Sequence, residues 1–398
     1  MENCEESIYL TKQILTYMGN KRKCLSLIDD VITQVKQYLN KEDIDIAEGF
    51  SGSGIVSRLL KNRVMNYENK KCRDIKTLYV NDNAGYSKTL NECYLTPLSK
   101  LSISQQKNII KYKKKLEKYL RDDYVKDDKY INYFISKHWA PRDDKNIKES
   151  ERVYFTKENA NIIDRSMYFM NKHVKDFYKP FILAPLLVQC SMYNNTNGQF
   201  SAFFKDKTKK RGKLGGEKEI DLKRITHKIT PTLPILTNHT ANICVSQKDI
   251  NKWIDDLPEV DLIYLDPPYN KHPYCIYYFL LDIINNWDTA IEVPNTNRGQ
   301  PKNWEKSMYC SSKHAVKTFE DLIQKAAKKT QFILLSYNND GIIPLSKIEE
   351  IFKRYGELYK KNFEHKTYNK FKGIAAYKRQ KENKKINECL WLLKINHA

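Results

Sequence analysis

The chain has 398 residues, a length that accommodates two or three domains. It is 41% hydrophobic and 29% charged, so it can bury a sizeable core and is not an intrinsically disordered chain. The longest apolar run, residues 180–188, is nine residues long with two prolines, which is too short to cross a membrane. The acidic N-terminus lacks the apolar segment of a signal peptide, and the nine cysteines form no CxxC pair. We therefore expect a cytoplasmic protein with neither a disulfide framework nor a bound metal.

The formal net charge of +21 is unevenly distributed along the chain. Residues 101–230 carry a net charge of +13 and residues 351–398 one of +9, so the remainder is close to neutral. This segregation is typical of an enzyme that binds a polyanion, because contacts to phosphates supply most of the sequence-independent affinity for nucleic acid. A lysine-rich proteome would also raise the lysine content, but it would not concentrate the charge in two regions.

The first hundred residues contain the pattern of a βαβ unit. A short apolar strand at residues 44–47 leads through a glycine turn at 49–54 into a helix at 55–62. A second strand follows at residues 77–81 and ends at Asp82. The pattern predicts the start of an α/β fold with a parallel sheet.

The middle of the chain has a different character. Residues 101–180 are polar and mostly helical in pattern, whereas residues 189–230 mix Asn, Gly, Lys and Thr as irregular loops do. A compact alternating pattern returns after Pro234. The strands predicted there are 243–246, 262–265 and 332–336, and the helices are 274–287, 311–328 and 346–355.

The last stretch, residues 362–395, has strand-like ends around a lysine-rich turn. Together the patterns predict one discontinuous α/β domain, formed by residues 1–100 and 231–398. A basic insertion at residues 101–230 interrupts it.

The strongest chemical signal is the tetrapeptide Asp266-Pro267-Pro268-Tyr269, directly after the apolar strand at 262–265. An acidic residue just past a buried strand lies at the carboxyl edge of a parallel sheet, where α/β folds bind ligands. The two prolines fix the backbone and remove two N–H donors, so the carbonyls point in a preset direction. A carboxylate, a carbonyl and an aromatic ring then suit the exocyclic amine of a planar base, although an ordinary strand-exit turn has the same pattern.

The second signal is the glycine-rich run from Glu48 to Gly54, which lies between a predicted strand and helix. Its glycines allow the backbone to approach a ligand and to turn tightly into the helix. Asp82 ends the next strand, where a carboxylate can accept both ribose hydroxyls of an adenosine group. Nicotinamide enzymes have the same arrangement, so these two features alone do not distinguish between cofactors.

Taken in order, these motifs resemble those of the S-adenosylmethionine-dependent DNA amino-methyltransferases, and more narrowly the Dam-type (D12 class) adenine-N6 enzymes. The segment Tyr17-Met18-Gly19-Asn20-Lys21 is similar to the family's Y-x-G-x-K element beside the methionine end of the cofactor, although most members have Gly at the position of Asn20. Asp249 is similar to the family's adenine-contacting acid, and residues 335–339 resemble its later strand near the target-base pocket.

The resemblance covers about residues 1–100 and 235–398 and implies a Rossmann-like fold. That fold has a mostly parallel seven-stranded sheet with a C-terminal antiparallel hairpin, plus a mainly helical target-recognition insertion. The implied cofactor is S-adenosyl-L-methionine. The residues expected to bind it are Tyr17, Gly19, Lys21, Glu48, Phe50, Gly52, Gly54, Asp82, Asn83, Asp249, Ile250 and Asp266.

The resemblance also implies a catalytic role for Asp266, Pro267, Pro268 and Tyr269. The amine of a flipped-out adenine in double-stranded DNA would donate to the Asp266 carboxylate and the Pro267 carbonyl, while Tyr269 stacks on the base. Methyl transfer is then direct, without a covalent enzyme intermediate. A large private insertion favours a restriction–modification system, in which a restriction endonuclease is a functional partner.

Candidate DNA contacts lie in the insertion, and each set also has a simpler interpretation. The lysines could form a solvated helix face, and the Asn-rich segment could be an ordinary loop. The candidates are Lys111, Lys113, Lys114 and Lys115 for phosphates, Asn194, Asn195, Thr196 and Asn197 for base edges, and Lys209, Lys210 and Arg211 in a flexible basic segment.

Four alternatives remain open at this point. Cytosine-N4 methylation is disfavoured because those enzymes usually have Ser where this chain has Asp266. Methylation of another amine, such as a protein glutamine, is disfavoured because Asn is usual there. A nucleotide-binding oxidoreductase would use the glycine loop and Asp82 but would leave the Asp-Pro-Pro-Tyr motif unexplained. A non-catalytic DNA-binding subunit is the fourth.

Overall fold

A computed structural model describes most of the chain: residues 14–61, 63–67, 70–121, 128–206, 208, 211–219, 221–236, 241–302, 306–366 and 385–396. The strands are β1 Ile44–Glu48, β2 Val64–Tyr67, β3 Lys70–Arg73, β4 Ile75–Asp82, β5 Asn242–Gln247, β6 Val260–Leu265, β7 Thr330–Asn338, β8 Gly356–Lys366 and β9 Lys385–Ile395. The helices are α1 Leu25–Leu39, α2 Ile55–Lys61, α3 Gly85–Tyr94, α4 Ile103–Arg121, α5 Phe134–Trp139, α6 Lys157–His173, α7 Lys179–Met192, α8 Leu222–Ile225, α9 Ile250–Asp256, α10 Tyr274–Asn286, α11 Ala315–Ala326 and α12 Leu345–Lys353.

Seven strands form one sheet in the order β5-β4-β1-β6-β7-β9-β8. The pairs from β5 to β7 are all parallel, whereas β9 runs antiparallel between β7 and β8. The mostly parallel sheet with a C-terminal antiparallel hairpin is therefore confirmed, as is the α/β class. The strands β2 and β3 form a separate antiparallel hairpin that the sequence analysis did not predict.

Most predicted elements agree with the structure to within a few residues. The helix predicted at 311–328 is shorter, because Ser311–His314 form turns before α11 begins at Ala315. The first strand of the C-terminal hairpin begins earlier than predicted, at Gly356. Much of the predicted turn region of that hairpin lies outside the described residues.

The central strand β6 is buried along its whole length because helices cover both faces of the sheet. On one face, Leu262 and Tyr264 pack in a cluster with residues of α1 and α2. On the other face, Ile263 and Leu265 pack with α9, α11 and α12. The alternation of side chains along the strand thus separates two hydrophobic layers and leaves its carboxyl end, at Asp266, at one edge of the sheet.

The helices of residues 101–230 share a third hydrophobic cluster with α3 and α10 of the sheet-bearing part. Trp139 and Leu187, both fully buried, belong to the same cluster as Leu90 of α3 and Tyr278 and Leu280 of α10. The insertion therefore packs directly on two helices that border the sheet's carboxyl edge. The division of the chain into a catalytic domain and a target-recognition insertion stays a prediction.

The apolar run of residues 180–188 lies inside α7, with Pro180 in its first turn and Pro185 within the helix. Within the described ranges, no helix has both the length and the apolar character needed to cross a membrane.

Candidate active site

A cavity of about 460 Å³ lies at the carboxyl edge of the sheet. The turn after β1 is held there by two backbone bonds, from Gly49 N–H to Tyr264 O (3.0 Å) and from Ser51 N–H to Asn81 O (3.0 Å). The residues predicted from the sequence that line this cavity are Tyr17, Gly19, Lys21, Glu48, Phe50, Gly52, Asp82, Asn83, Asp249, Ile250, Asp266 and Pro268.

Three of the predicted site residues are not part of the cavity wall. Gly54 lies at the start of α2, where its carbonyl accepts the Arg58 N–H. Pro267 is buried beside the wall. Tyr269 is partly exposed and lies against the N-terminal element, as residues 17–21 are called below.

Asn81 ties three strand ends together, and sequence reasoning missed it. Its side-chain amide donates to Lys248 O (3.0 Å) and its side-chain oxygen accepts the Lys248 N–H (3.0 Å). Its backbone carbonyl holds Ser51 of the glycine loop. Because Asn81 is 1% exposed and precedes Asp82, it fixes the cavity wall on the β4 and β5 side.

Asp82 is held by backbone donors on two sides. Gly52 N–H donates to Oδ2 (2.7 Å), and Ala84 N–H donates to Oδ1 (2.9 Å). Burial raises the pKa of Asp82, and these backbone hydrogen bonds partly oppose the rise. The strand-tip carboxylate and the glycine loop are thus joined directly.

Glu48 is a buried carboxyl group at the end of β1, and it accepts a hydrogen bond from the Ser57 hydroxyl of α2. Burial raises the pKa of Glu48 to about 8, because the Ser57 bond offsets only part of the desolvation and the carboxylates of Asp266 and Asp82 add to the rise. The group is therefore largely neutral at pH 7. A cation entering the cavity would favour its ionised form.

The N-terminal element is fixed by tyrosines of α10. The Tyr278 hydroxyl accepts the Met18 N–H (2.8 Å) and donates to Thr16 O (3.2 Å), and the Tyr17 ring stacks on Tyr278 with centroids 4.9 Å apart. The same ring covers the glycine loop, since a Cβ atom on Gly52 (φ +52°) would lie 2.7 Å from Tyr17 Cε1. A side chain at position 52 would therefore collide with the N-terminal element.

Asp266 is paired with Lys21, whose side chain is 3% exposed. Lys21 Nζ lies 2.9 Å from Asp266 Oδ1 and donates to Gly19 O at 3.0 Å. Burial raises the pKa of Asp266 to about 6, with Lys21 opposing the rise and Glu388 adding to it. Lys21 is predicted to belong to the cofactor site, and it is also in direct contact with the carboxylate of the Asp-Pro-Pro-Tyr motif.

Glu388 is a further residue that sequence reasoning missed. Its Oε1 lies 3.1 Å from Lys21 Nζ and accepts a hydrogen bond from Ser336 Oγ (2.9 Å). Ser336 belongs to the segment noted as similar to a strand near the target-base pocket. No local motif marks Glu388, because β9 reaches the site only through the sheet.

Tyr269 lies against the N-terminal element and the end of β7. A Cβ atom on Gly19 (φ +71°) would lie 2.3 Å from Tyr269 Oη, so glycine is required for this approach. The Tyr269 ring meets the Tyr337 ring edge to face, with centroids 5.8 Å apart. The Tyr269 carbonyl accepts the Ile342 N–H (2.9 Å), which ties the motif to the loop after β7.

The opposite end of the cavity has aromatic and acidic walls. The Asp249 side chain caps α9 by accepting the Asn251 N–H (3.0 Å). The rings of Phe50 and Tyr309 meet edge to face with centroids 5.3 Å apart, and Ile250 lies at the same wall. These side chains give this part of the cavity an aromatic, an aliphatic and an acidic surface.

A further acidic residue, Asp282 of α10, also lines the cavity, and the sequence analysis did not predict it. Burial raises the pKa of Asp282 to about 7, while the backbone N–H groups of Tyr86 and Gly85 oppose the rise and Asp82 adds to it.

The structure places most of the predicted base-reading loop in the protein interior. Asn194, Asn195 and Thr196 are fully buried. The Asn195 amide donates to Val153 O (2.8 Å) and the Thr196 hydroxyl donates to Asn194 Oδ1 (2.5 Å), so these polar groups have partners within the protein. They hold the loop in place, and their contact with bases stays a prediction. Asn197 alone of this set is exposed.

The same loop packs on the N-terminal element. A Cβ atom on Gly198 (φ +88°) would lie 2.3 Å from Thr16 Cγ2. The insertion therefore touches the segment that carries Tyr17.

The basic candidates are placed differently from one another. Lys111, Lys114 and Lys115 are exposed on α4, whereas Lys113 is half-buried and paired with Glu117. The half-buried Arg211 donates to Ile147 O (3.2 Å). Lys209 and Lys210 lie outside the described residues.

Among the residues that the structure describes, no group of three or more His, Cys, Asp or Glu side chains is arranged to hold a metal ion.

Comparison with known proteins identifies the class that this fold and site define. The family model for the D12 class N6 adenine-specific DNA methyltransferases matches residues 17–333. The chain therefore belongs to this family, and it is a site-specific adenine-N6 DNA methyltransferase.

Three curated relatives agree with this assignment. The Type II methyltransferase M.NlaIII of Neisseria lactamica is 28% identical, over 96% of this chain and 98% of its own length. The Type II methyltransferase M.FokI of Planomicrobium okeanokoites is 27% identical over 96% of this chain, which spans 53% of that protein. The modification methylase LlaI of Lactococcus lactis subsp. lactis is 26% identical over 86% of this chain and 49% of its own length. None of these matches supports the oxidoreductase or cytosine-N4 alternatives.

Proposed function

We propose that the protein transfers a methyl group from S-adenosyl-L-methionine directly to the N6 amine of a flipped-out adenine in double-stranded DNA. The observation that carries this proposal is the single cavity that joins the glycine loop, Asp82 and Asp266. A site for the donor and a site for the acceptor amine must be adjacent for direct transfer, because the reacting atoms approach to roughly 3–3.5 Å.

The residues present fit this cofactor. The turn at Gly52 has backbone that a ligand can approach closely, and Asp82 beside it suits ribose hydroxyls. Asn20 Nδ2 is a buried donor with no hydrogen-bond partner in the described part of the chain, and it lines the same cavity. Such a donor suits an acceptor supplied by a ligand. Glu48 and Asp282 suit positively charged groups.

The proposed binding roles follow the family resemblance of each motif, and all of these residues line the cavity. We assign Asp249, Ile250 and Phe50 to the adenine ring, Asp82 and Asn83 to the ribose, and the region of Tyr17, Gly19 and Lys21 to the methionine end. When bound, the cofactor supplies an electrophilic methyl group on a sulfonium sulfur.

The residues of the Asp-Pro-Pro-Tyr motif act on the acceptor amine. Its lone pair is delocalised into the purine ring, which makes the amine a poor nucleophile. Asp266 and the Pro267 carbonyl accept its N–H groups, which favours a pyramidal nitrogen with a localised lone pair. Pro268 holds the backbone direction. Tyr269 stacks on the base, and stacking of this kind contributes about 1–3 kcal/mol toward holding it outside the helix.

The exposed lysines of α4 and the basic composition of the insertion support binding to DNA phosphates. Replacement of Lys111, Lys114 and Lys115 by Gln should reduce the slope of log K against log salt by about 0.9 for each lysine that neutralises a phosphate. Lys113→Gln is the matched control, because Lys113 is already paired with Glu117. An unchanged slope in the triple variant would remove α4 from the DNA interface. We further propose that a restriction endonuclease is paired with this enzyme and that the enzyme is located in the cytoplasm.

The decisive experiment compares Asp266→Asn with Asp261→Asn, the same substitution at the opposite end of β6. Asp261 accepts the Asp45 N–H (2.9 Å) and lies at the other edge of the sheet. Asp266→Asn should abolish methyl transfer from labelled cofactor while leaving cofactor affinity within a few-fold, and Asp261→Asn should retain transfer per folded molecule. Nucleoside mass analysis should find N6-methyladenine with the wild-type enzyme. Turnover by Asp266→Asn, or methylcytosine as the product, would overturn the proposal.

A further inference from the structure

Four polar side chains, three of them buried, form a continuous series of contacts at the wall of the cavity. Ser336 Oγ donates to Glu388 Oε1 (2.9 Å), which lies 3.1 Å from Lys21 Nζ, and Lys21 Nζ lies 2.9 Å from Asp266 Oδ1. The side chains of Lys21 and Glu388 are 3% and 5% exposed, against 17% for Asp266. Lys21 and Asp266 line the cavity, and Asp266 is the more exposed of the two.

The contacts around Lys21 define its position. Its ammonium group has three protons and faces three oxygens, those of Asp266, Glu388 and the Gly19 carbonyl, all within 3.1 Å. Lys21 approaches Asp266 at Oδ1. Within the described part of the chain, Oδ1 of Asp266 is buried without a hydrogen-bond partner, so its contact with Lys21 is an ion pair.

The sheet topology explains how Glu388 reaches this place. Because β9 is antiparallel to β7, an early residue of β9 meets the carboxyl end of β7, and Glu388 is paired with Asn338. Asp266 directly follows the neighbouring parallel strand β6. The antiparallel strand β9 thus positions the Glu388 carboxylate at the edge of the sheet where the parallel strands end.

Charge gives this arrangement a consequence for catalysis. A lysine that paired with Asp266 alone would neutralise the carboxylate that must accept the amine N–H, and the interaction is strong in a buried site. A second carboxylate shares the ammonium and restores the negative charge of the cluster. We propose that Glu388 is a positioning residue for methyl transfer, which shares the Lys21 ammonium so that Asp266 is not fully neutralised and stays available as an acceptor. This inference rests on the proposed role of Asp266.

Other titratable groups also face Asp266 and must be considered in its titration. They are Glu48 of β1, Tyr264 of β6, Tyr269, Tyr274 of α10 and Cys24, together with Lys21 and Glu388. Burial raises the pKa of Glu48 to about 8 and that of Cys24 to about 11, and it raises the pKa of the three tyrosines as well. These five groups are therefore neutral near pH 6, so a change at Glu388 acts on Asp266 against a constant background.

The test is the pH dependence of kcat/KM for methyl transfer by Glu388→Gln. Loss of the second carboxylate should move the acid limb to lower pH by roughly half a unit or more, because Asp266 is then the sole carboxylate on Lys21. The kcat at the plateau should fall about tenfold, since the carboxylate is more fully neutralised. The Kd of S-adenosylmethionine should stay within about threefold, because Glu388 does not line the cavity.

Glu357→Gln is the matched control, since it removes one carboxylate from the neighbouring strand β8 at an exposed site paired with Lys394. Glu357→Gln should leave both the acid limb of the kcat/KM profile and the plateau kcat at their wild-type values. If Glu388→Gln does not fold, as judged by its thermal unfolding, Ser336→Ala replaces it. Without the Ser336 hydroxyl, Glu388 is no longer held against Lys21. The acid limb of the kcat/KM profile should then move to lower pH, by less than in Glu388→Gln.

A folded Glu388→Gln enzyme with an unchanged acid limb would overturn the inference, as would a fall in kcat that is matched by an equal loss of cofactor affinity. The outcome is distinguishable from failure of the proposed function. Turnover by Asp266→Asn refutes the proposed function itself. An inactive Asp266→Asn together with a wild-type profile in Glu388→Gln refutes only the role of Glu388.

Discussion

Gly19 and Tyr269 are in such close contact that the phenol oxygen occupies the place where a side chain at position 19 would begin, with only 2.3 Å to an ideal Cβ atom. The glycine of the N-terminal element thus sets the position of the aromatic ring that follows the two prolines. Two segments that are far apart in the chain therefore pack against each other at the site.

We expect Gly19→Ala to reduce kcat at least about tenfold, because the methyl group must displace the ring that stacks on the target base. Gly216→Ala is the matched control. Gly216 has nearly the same φ (+67°) but its Cβ would meet only Phe204, at 3.6 Å. Both variants should lose about 1 kcal/mol or more of stability from a left-handed backbone, measured by chemical denaturation. Equal turnover in the two variants would contradict the proposed role of this contact.

Asp82→Asn should weaken cofactor binding by about 1–3 kcal/mol, since an amide replaces a charged acceptor that also holds the Gly52 N–H. Isothermal titration with S-adenosylmethionine gives the Kd. Asp288→Asn serves as the control, because Asp288 is an exposed carboxylate that likewise accepts a backbone N–H, from Ala290 (3.1 Å). An unchanged Kd in Asp82→Asn would show that this carboxylate does not bind the ribose.

The pH profile of kcat/KM should show an acid limb near pH 6 for the free enzyme. Burial raises the pKa of Asp266 from 3.8 to about 6, so the accepting carboxylate is present above that pH and is lost as pH falls through it. Rates of labelled methyl transfer at limiting substrate between about pH 5 and pH 8 measure this limb. A limb near the ordinary Asp value of about 3.9 would show that burial does not govern the titration of Asp266.

Asn195→Ala should destabilise the fold, whereas Asn197→Ala should change stability by less than about 0.5 kcal/mol. Asn195 is fully buried, donates to Val153 O and accepts the Gly215 N–H (3.0 Å). Each group left unpaired costs about 1–3 kcal/mol. Denaturant unfolding measures the difference, and the KM for DNA should change only in Asn197→Ala if that exposed residue contacts the substrate. Equal stability of the two variants would refute the structural role of Asn195.

Some parts of the site could be predicted because local sequence determines them. Asp82 and Asp266 each follow an apolar strand, and the carboxyl ends of neighbouring parallel strands must meet at one edge. The glycine loop is likewise local, since its function depends on backbone conformation. These features need no knowledge of distant contacts.

The remaining parts depend on tertiary packing. Glu388 reaches Lys21 only because β9 is inserted antiparallel beside β7, which no pattern around residue 388 reveals. The Asn-rich loop was assigned to DNA from its composition, yet its side chains satisfy buried backbone groups, as short polar side chains commonly do. The hairpin of β2 and β3 was missed since each of its strands is only four residues long.

The close packing of Gly198 on Thr16 has a consequence for protein engineering. A specificity segment transplanted from a relative would carry its own version of this loop and would press on the segment that positions Tyr17. Chimeric enzymes should therefore retain activity only when the graft keeps a glycine there and is accompanied by the matching surfaces of α3 and α10. Retargeting such an enzyme to a new DNA sequence is a problem of interface compatibility as much as of base contacts.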